Sequence, residues 1–148
     1  MNCKTEPMKA ILLTISFFMA SLLTISAQEK ETFTLTIEVS ITKYDKGSIL
    51  LALYNSKENY MEKTYRSSNV SVKDKKAVIL FENIEKGSYG FSFFHDVNDN
   101  KKLDTNFVGI PKEPYGFSNN QKGTFGPPKY EAVAFEVNEN KTITLRIK

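Results

Sequence analysis

Asp96, Asn98, Asn100 and Asp104 lie in one stretch with the spacing D-x-N-x-N-x-x-x-D. Oxygen-bearing side chains at alternating positions of a tight loop can converge on one hard cation. Calcium takes roughly six to eight oxygens from carboxylates, carbonyls and water. In an EF-hand register, Asp96, Asn98 and Asn100 fill the first three side-chain positions, Lys102 offers its backbone carbonyl and Asp104 fills the ninth position. Lys101 stands where that loop has glycine, and Phe107 where it has a bidentate glutamate. The expectation is a calcium loop with few formal charges and an affinity of roughly 10⁻⁴–10⁻³ M. The same residues also make turns without metal, because Asp and Asn side chains accept N–H bonds from the backbone that follows them.

His95 is the one histidine of the chain and directly precedes this stretch. A catalytic histidine works with a nucleophile or an orienting group. Asp96 is its neighbour, and on a strand neighbours point to opposite faces. The pattern favours a packed histidine over a hydrolase that uses His95 with Asp96 or Glu113. One histidine and no second nitrogen or sulfur ligand also argue against zinc. After the acidic stretch comes G-I-P-K-E-P-Y-G-F-S-N-N, Gly109 to Asn120. Its prolines restrict the backbone and its glycines permit turns. It reads as a long loop, either packed on itself or forming a binding surface with His95, Glu113, Tyr115, Phe117 and Asn119.

Strands must hold these loops. Phe33, Leu35, Ile37, Val39 and Ile41 alternate with polar residues, a half-buried strand. Ser48 to Tyr54 is apolar on both faces and belongs at the centre of a sheet. Asn55 to Tyr65 reads as a crossover with a turn capped by Ser56. Val70 and Val72 mark a short edge strand, and Ala77 to Phe81 a further one. Tyr89, Phe91 and Phe93 share one face of the strand that ends at His95. These three are expected to pack with Leu35, Ile37, Leu51, Phe135 and Leu145. Val133, Phe135 and Val137 alternate, and Ile143, Leu145 and Ile147 form the last strand. About seven strands without a long amphipathic helix indicate an all-β fold: a single antiparallel β-sandwich, Ig-like or transthyretin-like, with a long loop between the last strands.

The N-terminus carries Lys4 and Lys9, an apolar run from Ala10 to Ile25, and Ile25-Ser26-Ala27 before Gln28. This is the order of a signal peptide, so residues 1–27 are expected to be removed and 28–148 to form one exported domain. Cys3 precedes the apolar run, so the mature chain lacks cysteine and its core must hold it without disulfides. The net charge is +3, and loss of Lys4, Glu6 and Lys9 leaves about +2. Interspersed lysines with so small an excess argue against nucleic acid as a partner. No membrane span is expected after cleavage.

The run Gly87-x-Tyr89, then His95-Asp96-x-Asn98-x-Asn100 with Asp104, then Gly109 to Glu113 and Tyr115 to Asn120, with Pro128 and Ala132 downstream, resembles the DUF2141 family of exported bacterial proteins. The resemblance spans about Phe33 to Lys148 and implies a secreted or periplasmic β-sandwich. It supplies no catalytic residues. The F-x-N-I-x-K-G-x-Y turn from Phe81 to Tyr89 is also similar to transthyretin-like and Cna B-type sandwich domains. The hydrolase branch of the transthyretin group implies several histidines and a C-terminal Y-R-G-S, and this chain has neither. The resulting expectation is a non-enzymatic binding or accessory domain of the cell envelope, periplasmic or extracellular. Its partner would be an envelope or extracellular ligand, and calcium would stabilise its loop. A hydrolase and a purely structural envelope domain are the alternatives.

Overall fold

The first regular element, β1 (Thr32–Ile41), buries Leu35, Ile37, Val39 and Ile41 and turns Thr36, Glu38 and Ser40 away, as its period-two pattern demands. The computed structural model describes residues 30–123 and 126–147. The expected signal peptide lies outside the described residues.

Eight strands form two sheets among the described residues. β1 is flanked by β4 (Lys76–Glu85) and β8 (Lys141–Ile147). The larger sheet runs from β3 (Arg66–Ser71) through β2 (Ser48–Tyr54) to β5 (Gly87–Asp96). Two short strands share the far edge of β5: β7 (Phe135–Val137) beside Gly87 to Tyr89, and β6 (Tyr115–Phe117) beside Ser92 to Phe94. The expected sandwich is therefore present. One pairing departs from an antiparallel arrangement: β8 runs parallel to β1. β7 lies in the larger sheet and β8 in the smaller, so the 138–140 link carries the chain from one sheet to the other. Asn140 fixes this link by accepting the Thr34 N–H through Oδ1 at 2.8 Å.

The inward faces of both sheets form one core. Tyr89 and Phe91 join Leu35, Ile37, Leu51, Phe135 and Leu145, with Phe93 packed at the edge. Phe91 meets Phe135 at 5.8 Å in a T-shaped contact. β4 extends past Phe81 to Glu85. Its alternation breaks at Glu82 and Asn83, where Asn83 takes φ 55° and the register against β1 shifts. This bulge returns Ile84 to the core.

Asn55 to Tyr65 is the expected crossover of turns, and Ser56 Oγ accepts the Asn59 N–H at 3.3 Å. Two segments differ from the expectation. Tyr115 to Phe117 is a strand inside what reads as loop. Val133 lies in a single helical turn, α1 (Tyr130–Val133), not in a strand with Phe135. Ser118 joins these pieces: its Oγ accepts the Phe91 N–H at 3.0 Å and donates to the Val133 carbonyl at 2.6 Å. No helix among the described residues is long and apolar enough to cross a membrane.

Candidate functional site

β5 delivers His95 and Asp96 to the end of the larger sheet, where both are fully buried. His95 pairs with Ile49 of β2, and Asp96 with Ser48. The chain enters β2 through Gly47 at φ +80°, and a Cβ there would lie 2.1 Å from the Asp96 carbonyl oxygen. Only glycine satisfies both conditions. His95 Nε2 lies 2.8 Å from the Lys46 carbonyl, so it carries the ring proton and donates it. Nδ1 is buried and has no hydrogen-bond partner among the described residues. Tyr44 packs on the ring at 5.9 Å. No hydroxyl, thiol or carboxylate is hydrogen-bonded to this ring among the described residues.

The two buried carboxylates act on the backbone. Asp96 Oδ1 accepts the Asn100 N–H at 3.1 Å, and Oδ2 accepts that of Lys101 at 2.6 Å. Glu113 Oε1 accepts the Val97 N–H at 2.8 Å, and Oε2 accepts that of Asp104 at 3.0 Å. A buried charge is tolerated when its lone pairs meet donors in this way. Glu113 thereby holds both ends of the acidic loop. Ser48 adds a third tie by donating its hydroxyl to Asp99 Oδ1 at 2.7 Å.

The expected metal residues do come together. Asn98 Oδ1 accepts the Asn100 N–H at 3.2 Å, and Asn100 Oδ1 accepts that of Lys102 at 2.8 Å. The amide nitrogens of Asn98 and Asn100 donate to the two oxygens of Asp104, at 2.7 and 3.0 Å. Lys101 adopts φ 63°, the left-handed conformation for which an EF-hand uses glycine. The residues fit a cation in part. Each side-chain oxygen keeps a second lone pair beside its N–H bond, and the backbone already turns as a calcium loop turns. Against this, both Asn amides present N–H₂ to Asp104, the positive face a cation would otherwise supply. No group of three or more His, Cys, Asp or Glu side chains is placed to hold a metal ion among the described residues.

The residues expected at a binding surface separate. His95, Glu113 and Phe117 are buried. Asn119 is exposed, but its amide donates to the carbonyls of Ala132 and Ala134 at 3.2 and 2.8 Å, clamping the segment before β7. Tyr115 is surface-exposed and lines an apolar groove of about 480 Å³ on the outer face of the larger sheet. Leu50, Ala52 and Phe94 also line it, with Met61 and Leu103. Gly116 lies against Phe93, and a Cβ there would come within 2.7 Å of that ring. Outward residues of β2 and β5 form the floor of the groove, and their parity is legible in the sequence. Met61 and Leu103 come from turns that no periodicity marks.

Polar side chains of the loop are thus turned to the backbone, and its apolar side chains are turned out. A family model described as an uncharacterized protein conserved in bacteria, DUF2141, matches residues 37–144. No curated protein and no solved structure matches the chain.

Proposed function

This chain belongs to the DUF2141 family, and we propose that it is an exported, non-enzymatic binding or accessory domain of the bacterial envelope. The observation that carries this reading is the inversion of the loop. Asp96 and Glu113 each accept two backbone N–H groups, and His95 is buried beneath them. The two carboxylates thus spend their oxygens on backbone N–H groups, and the His95 ring donates to the Lys46 carbonyl. Beside them lies the apolar groove of Leu50, Ala52, Phe94 and Tyr115. Clefts lined mainly by apolar side chains with few polar groups are where ligands bind. The ligand in this reading is an apolar segment that lies along the sheet. Export rests on the basic, apolar and small-residue order of the N-terminus.

Calcium enters as a structural ion of the 96–104 loop, supported by the spacing of its oxygens and by the left-handed turn at Lys101. It would be held by Asp96, Asn98, Asn100 and Asp104 with the Lys102 carbonyl. Its role is to fix the loop that carries Leu103 into the groove wall. Titration of the folded protein with the apolar dye anilinonaphthalene sulfonate, read by fluorescence, tests the groove. Melting in calcium and in chelator tests the ion.

A further inference from the structure

Beyond the groove, the loop carries a second apolar feature. Phe107, Val108 and Ile110 are 99%, 62% and 60% exposed, side by side on one turn. The Asn106 N–H donates to the Ile110 carbonyl at 2.9 Å, and that of Gly109 to the Asn106 carbonyl at 3.0 Å. Asn106 Oδ1 accepts the N–H groups of Val108 and Ile110 at 3.0 and 2.9 Å. The turn is closed at its base by the Thr105–Pro111 bridge and by the Lys112 N–H on the Asp104 carbonyl at 2.7 Å.

A fully exposed phenylalanine beside two exposed aliphatic residues calls for a covering partner. Four backbone N–H groups of this turn are satisfied within it, so it can enter an apolar medium without leaving those donors unpaired. Lys112 lies at this base, and Lys101 and Lys102 precede it closely in the chain, all three exposed. Long basic side chains around an apolar tip can keep their ammonium groups at the lipid phosphates. Residues 106–110 contain no carboxylate, and a tip led by a 99% exposed Phe107 is one that fluid lipid can surround. We propose that the 106–110 turn is a membrane-docking tip. It places Phe107, Val108 and Ile110 at the headgroup–acyl boundary of a phospholipid bilayer, with the three lysines facing lipid phosphates. Insertion is shallow and reversible, and no segment spans the bilayer.

The chain contains no tryptophan, so Phe107→Trp in the full chain gives a single local reporter. With vesicles of equal phosphatidylglycerol and phosphatidylcholine, its emission should move to shorter wavelength. Lipids brominated on the acyl chain should quench it. Val78→Trp, at an exposed position on the smaller sheet, should respond to neither. In the Phe107→Trp background, Val108→Ser with Ile110→Ser should weaken the vesicle response by about tenfold or more, from the apolar area removed. Three results overturn the proposal: no spectral change with vesicles, an equal change at Val78→Trp, or a change that grows with protein concentration in the absence of lipid. The last would make the tip a contact between copies of this chain.

Discussion

Glu113 Oε2 accepts the backbone N–H of Asp104 at 3.0 Å while its other oxygen holds Val97 at 2.8 Å. One buried carboxylate therefore closes the acidic loop across its mouth. Glu113→Gln replaces one acceptor oxygen with an N–H₂ that faces an N–H donor. Charged hydrogen bonds contribute about 1.5–3 kcal/mol each, and a buried donor left unpaired costs about 1–3 kcal/mol. A loss of about 2–4 kcal/mol is expected in denaturant unfolding. Amide exchange at Val97 and Asp104 should accelerate, with little change in the β1–β4 ladder. A fully stable Glu113→Gln variant would mean that the staple is not needed.

Three tyrosines should titrate late: Tyr60, Tyr89 and Tyr130, the last also raised by burial. Burial, with the neighbouring Tyr54, raises Tyr60 to about 12. Burial, with the neighbouring Tyr65, raises Tyr89 to about 12. Their folded values lie above the ordinary value of 10.0. The neutral forms therefore favour the folded state. That stability is fully present below about pH 10 and is lost as pH rises towards 12. Absorbance titration of phenolate should show these buried groups ionising together with alkaline unfolding, and Tyr60→Phe should remove one. Ionisation of all seven tyrosines near pH 10 in the folded protein would contradict this.

The calcium loop has its own test. At an affinity of roughly 10⁻⁴–10⁻³ M, millimolar calcium is about 1–10 times Kd and adds about 0.4–1.4 kcal/mol to the folded state, so it should raise the melting temperature above that in EDTA. Magnesium should do less, because it demands a tighter octahedron. Asp104→Ala should remove the response. It is a cleaner variant than Asp96→Ala: Asp96 is fully buried and holds the N–H groups of Asn100 and Lys101, so its loss destabilises the protein in chelator as well. An unchanged melting temperature in calcium would leave the loop as a set of Asp and Asn turns.

Much of this architecture is legible in the sequence because its strands are long and cleanly alternating. β1, β5 and β8 show which residues face the core, and the packing of Tyr89 and Phe91 on Leu35 and Phe135 follows. Parity gives direction but not depth. His95 and Asp96 point to opposite faces, and both are nonetheless fully buried because the loop held by Glu113 covers the outer one. β6 escapes notice for a different reason. Tyr115 to Phe117 has only three residues between Pro114 and a 3₁₀ turn, and its pairing with Ser92 to Phe94 creates the strand. Val133 is buried as expected of an apolar residue, but the Ala134 N–H bonds back to Tyr130 and makes a helical turn. The outward direction of Phe107 has no sequence signal, since an isolated F-V-G-I reads equally well as core.

The apolar groove on the outer face of the larger sheet should bind an apolar ligand. Met61 and Tyr115 line it and are 43% and 48% exposed, so replacing each with serine should change stability by no more than about 0.5 kcal/mol. Dye titration of the folded protein, followed by the Met61→Ser, Tyr115→Ser double variant, measures the groove directly. Saturable dye binding is expected of the native protein, with about tenfold weaker binding by the variant and a melting temperature lowered by no more than about 6 °C. Absence of saturable binding, or equal affinity in the two proteins, would contradict it.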